Sequence, residues 1–147
     1  AGRAPWSEAA FDGVLDRSRP LGLPAAAVLA GGGRWRRIGS LDRLVDGLVR
    51  SHQLLLDVVD LERDLALGND TWVVERLGGP AHVRRGLFEK GGLDCILDDA
   101  LAALADAAIG ARGLDSTDAA AFVDRRRELT ISLRKSAWSA FFSSILL

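Results

Sequence analysis

The sequence of 147 residues has no methionine, no tyrosine, one cysteine and two histidines. Its lone thiol, Cys95, can form neither an internal disulfide nor a thiolate metal cluster, which excludes a disulfide-stapled secreted fold and a structural zinc site. His52 and His82 have no Cys or Glu at ligand spacing and are read as structural. Charge of one sign is also missing: 19 basic side chains against 20 acidic ones leave a net charge of -1, so the electrostatic footprint of a nucleic-acid binder is absent. No stretch approaches the roughly 20 apolar residues of a membrane span, and Ala1 to Pro5 lacks the pattern of a signal peptide. Gly31-Gly32-Gly33 is not followed by Lys-Ser/Thr, which removes a phosphate-binding loop. The expectation is a soluble chain in the reducing cytoplasm. Since the first residue is alanine and methionine is absent, a processed product or part of something longer is expected.

What is present is apolar and helical. Residues are 48% apolar and 27% charged, and at this length about two-thirds of the unfolded surface can be buried, enough for one domain with a real core. Sustained alternation of apolar and polar residues is absent, as are Asn-Gly and Asp-Gly hairpin turns, so the pattern predicts an all-α bundle of six or seven helices. A first helix is expected from Pro5 or Trp6 to Arg17, and a small-residue segment, Leu21 to Leu29, should pack closely on its neighbours. Ser40 is positioned to cap a long helix from Leu41 to about Leu67, closed by Gly68. Asp70 or Thr71 caps a brief helix through Arg76, and another short helix spans Ala81 to Glu89. Leu93 to Ala111 carries Ile96, Leu97, Leu101, Leu104 and Ala108 on one stripe. Asp115, Ser116 and Thr117 offer caps for a last helix from about Asp118 to near Ser144.

The informative stretch is Ser51 to Asp64. At about 100° per residue, Gln53, Asp57, Asp60 and Asp64 fall on one polar stripe, continued upstream by Asp42 and Asp46. Between Leu54 and Leu61 every other residue is Leu or Val, so this part of the helix is expected to be surrounded by neighbours, with its acids facing something polar inside. Stacked aspartates repel unless a cation neutralises them, and thiolate-free oxygen ligation suits Mg²⁺ together with substrate phosphates. The alternative is an ordinary solvated stripe on an amphipathic helix.

Gln53, Asp57 and Asp60 resemble the second aspartate-rich motif, F-Q-x-x-D-D-x-x-D, of the trans-isoprenyl diphosphate synthases in the class I isoprenoid synthase superfamily. The run from Asp60 to Thr71 is similar to the D-x-E-x-D-x-x-x-G-x-x-T continuation in some bacterial members. Leu21 to Ala27 resembles the small-residue helix ahead of that motif. Leu56 stands where the motif has its first aspartate and His52 where it has an aromatic residue. No first D-D-x-x-D motif is present, since Asp98-Asp99 is followed at the required position by Ala102.

The resemblance implies the C-terminal half of such a bundle, with one of its two metal-binding walls altered. It implies a part or subunit of a prenyltransferase or terpene cyclase acting on a prenyl diphosphate with Mg²⁺. Asp57, Asp60 and Asp64 are then candidate metal ligands, and Gln53 lies near the substrate. A second polypeptide or a second copy would supply the remaining wall. The alternative is a non-catalytic helical partner or regulatory subunit that has lost the site.

Three further features have more than one reading. Arg34, Arg36 and Arg37 with Trp35 could touch a diphosphate or an anionic partner, or form a solvated loop. Arg134 and Lys135 are placed to meet an anion. The apolar run Ala137 to Leu147 is too short to span a bilayer and reads as a core helix, or as a contact with a partner or a membrane surface.

Overall fold

The computed structural model describes residues 7–69, 71–83 and 85–145. Within them lie seven α-helices and no strand: α1 (Glu8–Asp16), α2 (Leu23–Gly31), α3 (Ile38–Val59), α4 (Leu61–Leu67), α5 (Trp72–Arg76), α6 (Gly92–Leu114) and α7 (Thr117–Ile145). None of these helices is long and apolar enough to cross a membrane. The expected start at Pro5 or Trp6, the Asp70 cap and the last residues, Leu146 and Leu147, lie outside the described residues.

Three long helices form the frame. α3 and α6 run antiparallel in close contact, a geometry that three glycines make possible. A Cβ on Gly47 would collide with the Ala103 carbonyl oxygen and lie 2.8 Å from the Ala107 nitrogen. One on Gly110 would lie 2.5 Å from the Leu44 nitrogen and 2.6 Å from the Ser40 oxygen, and one on Gly113 would strike the Ser40 hydroxyl. α6 therefore turns Ala100, Ala103, Ala107 and Ala111 into the interface beside Ile96, Leu97 and Leu104, while Leu101 and Ala108 of the expected stripe are only half-buried. The backbones approach too closely for large side chains at the centre of the contact.

α7 returns antiparallel along α6. The turn between them is set by Asp115, which takes a left-handed conformation at φ 56°; the Ser116 N–H reaches back to the Ala111 carbonyl and the Asp115 N–H to that of Arg112. Ser116 caps α7 by accepting from the Ala119 N–H, as its position suggested. Far along α7, Arg134 pairs with Asp94 at 3.3 Å and with Asp98, while Trp138 Nε1 donates to Asp94 Oδ1 at 3.3 Å. Ala137 and Trp138 pack on the core, so this part of the apolar C-terminal run is core helix.

The main core gathers at the other end of the α3–α6 pair. Phe11 of α1 stacks on Trp72 of α5 with ring centroids 4.8 Å apart, over Leu54, Leu93, Ile96 and Leu97. α5 begins at Thr71, whose hydroxyl accepts from the Val74 N–H.

Four local expectations are corrected. α3 starts at Ile38, so Ser40 lies inside the helix against α6 and does not cap it. The long helix ends at Val59; Asp60 opens to ψ 0°, and α4 follows on a new start. The short helix expected over Ala81 to Glu89 is present in a shorter and wider form: Val83 is helical and Arg85–Glu89 make a π-helical turn, where the Lys90 N–H reaches the Arg85 carbonyl five residues back at 3.2 Å. Gly86 packs directly on the Leu77 backbone, where a Cβ would collide with the Leu77 carbonyl oxygen. Finally, α2 has no buried residue, so its small side chains do not serve close packing.

Candidate acidic site on the third helix

α3 carries the acidic stripe and fixes its direction, because the Gly47 contact with α6 sets the rotation of the whole helix. Ten residues beyond Gly47, Asp57 is turned inward and only 6% exposed. Gln53, one turn earlier, donates from Nε2 to Asp57 Oδ1 at 2.7 Å. Burial pushes the Asp57 carboxyl up from 3.8 to about 6; the Gln53 hydrogen bond opposes that shift, and the neighbouring charges of Asp64 and Asp60 add to it. An acidic group facing inward, as the stripe implied, is present at Asp57.

The other two predicted ligands sit at the bend and on α4. Asp60 is half-buried and pairs with Arg63 at 2.9 Å. Asp64 is half-buried and accepts from Asn69 Nδ2 at 3.2 Å. The fold thus joins Gln53 to Asp57 directly and brings Asp60 and Asp64 near enough to act on Asp57 through charge. Among the described residues, no three His, Cys, Asp or Glu side chains form a group arranged to hold a metal ion. The expectation that this part of α3 is enclosed on all sides is corrected: Leu54 and Leu55 are buried, but Leu56 and Val59 are exposed, so the helix is open beside the acids.

The stripe continues upstream into a groove of about 730 Å³ that pattern reading did not assemble. It is lined by Asp42 and Asp46 of α3, Asp12 and Asp16 of α1 and Asp106 of α6, with Arg43 and Arg50 on its walls. Arg50 bonds Asp12 at 3.1 Å and Glu8 at 3.3 Å, and Arg43 bonds Asp106 at 2.7 Å. Asp42 and Asp46 were visible as an extension of the stripe. Asp12, Asp16 and Asp106 carry no motif, and only the packing of α1 and α6 on α3 adds them.

The remaining charged and reactive groups are placed as follows. Arg37 Nη1 donates to the Leu114 carbonyl at 2.6 Å and so caps the C-terminus of α6, while Arg34, Trp35 and Arg36 stay exposed. Arg134 is held by Asp94 and Asp98, and Asp99 pairs with Arg76 at 2.5 Å, so these acids tie helices together. His52 Nδ1 lies 3.2 Å from an Arg126 nitrogen, His82 is exposed and Cys95 is exposed.

Chemically, the site offers oxygen donors only, one of them desolvated and repelled by two like charges. That donor set fits a hard divalent cation, which takes one or two carboxylates and completes its shell with water and phosphate oxygens, without needing three protein ligands. No protein-family model, curated protein or solved structure matches this chain.

Proposed function

We propose that this chain supplies one acidic wall of a class I isoprenoid enzyme, a prenyltransferase or terpene cyclase acting on a prenyl diphosphate with Mg²⁺. The observation that carries the reading is Asp57, a carboxyl folded out of water beside two other carboxylates and steadied by Gln53. An arrangement that costs the protein stability in isolation is understandable where a cation relieves it. Asp57 and Asp60 would hold Mg²⁺, with Asp64 as a further ligand once its hydrogen bond to Asn69 is released. What Mg²⁺ supplies when bound is neutralisation of the departing diphosphate.

Gln53 orients the Asp57 carboxyl and keeps a hydrogen-bonding edge near the substrate. Exposed Leu56 and Val59 offer apolar surface to a prenyl chain beside the acids. A second polypeptide or a second copy would provide the opposing wall, and the isolated chain would bind without turning over.

A second reading, a helical partner without a catalytic site, draws on the pairing of Asp60 with Arg63 and of Asp64 with Asn69. Leu56 in the motif's first acidic position supports it as well. Thermal melting with Mg²⁺ and a non-hydrolysable prenyl diphosphate analogue separates the two. Under the first reading the melting temperature rises only when both are added, and the rise disappears in Asp57→Asn/Asp60→Asn. A rise that survives in the double variant removes these residues from the site. No rise in the wild-type chain or in its assembly with a partner favours the second reading.

A further inference from the structure

We draw no further inference here: the strongest candidate, the acidic groove between α1, α3 and α6 lined by Asp12, Asp16, Asp42, Asp46 and Asp106, is a cluster of carboxylates in which Arg50 pairs with Asp12 and Arg43 with Asp106, and among the described residues no buried polar side chain without a partner lines it to point to a ligand.

Discussion

Replacing Asp57 by asparagine keeps the shape of a buried side chain and removes its charge. The new carbonyl oxygen can still accept from Gln53 Nε2, so the variant isolates the cost of holding a carboxylate at this point of α3. Folding raises the carboxyl from 3.8 to about 6, chiefly by burial. A folded-state value above the unfolded one means that the native protein holds the proton more tightly. Stability from this group is therefore present below about pH 4 and is lost as pH rises through about 6. At about 1.36 kcal/mol per unit the full shift corresponds to about 3 kcal/mol, and partial hydration of the acidic wall reduces that to about 2 kcal/mol. Asp57→Asn should accordingly be about 2 kcal/mol more stable than the wild type at pH 7, with the advantage shrinking toward pH 4. The assay is urea unfolding at a series of pH values between these limits, with slopes compared to confirm that the unfolded ensemble is unchanged. Parallel stability curves for the two proteins across this range, or a variant less stable at pH 7, would refute the argument that Asp57 is desolvated.

Gly47→Ala should destabilise by about 2 kcal/mol or more, since the added methyl group meets the α6 backbone, and a melting temperature equal to wild type would refute the close α3–α6 contact. Asp115→Gly should stabilise by a few tenths to about 1 kcal/mol, because glycine adopts the left-handed conformation without strain; a loss read by chemical denaturation would point to a role for the Asp115 carboxylate. Asp60→Asn, which breaks an exposed pair three residues apart, should change stability by under about 0.5 kcal/mol in the same assay. Arg134→Ala should loosen the C-terminal half of α7, seen as faster amide exchange around Trp138, while the α3–α6 contact stays protected.

The parts of the fold legible in the sequence are those set by local chemistry. Thr71 and Ser116 each cap a helix through a side-chain oxygen, and that signal needs no tertiary partner. The stripe of Gln53 and Asp57 is likewise a matter of helical phase, which the fold preserves. The bend at Asp60 was not legible because no glycine or proline marks it. The short helix around Arg85–Glu89 was legible, but its widening to a bond five residues back was not, because no residue type marks it. The exposure of α2 contradicts its composition, and composition was the only signal available. Burial along α6 was misplaced at Leu101, whose size suggests a core, and at Ala108, one position out of phase with the Ala107 that faces Gly47, because the glycines that set the α3–α6 contact lie on both helices and leave no pattern in α6 alone. In the groove, Asp12, Asp16 and Asp106 come together through helix packing alone.

The glycine contact also restricts how the chain could vary in length. Gly47 must face α6 and Asp57 must face inward, and both positions lie on one uninterrupted helix. A residue inserted anywhere between them would rotate everything downstream by about 100°. The contact with α6 could then be kept only by turning Asp57 away from its place, or Asp57 kept only by driving a side chain into Ala103. Spacing between the two positions is therefore fixed to the residue, while the exposed loop at Gly32 to Arg34 has no such phase to keep. Length differences among variants of this chain should accumulate in that loop, and α3 should be free of them.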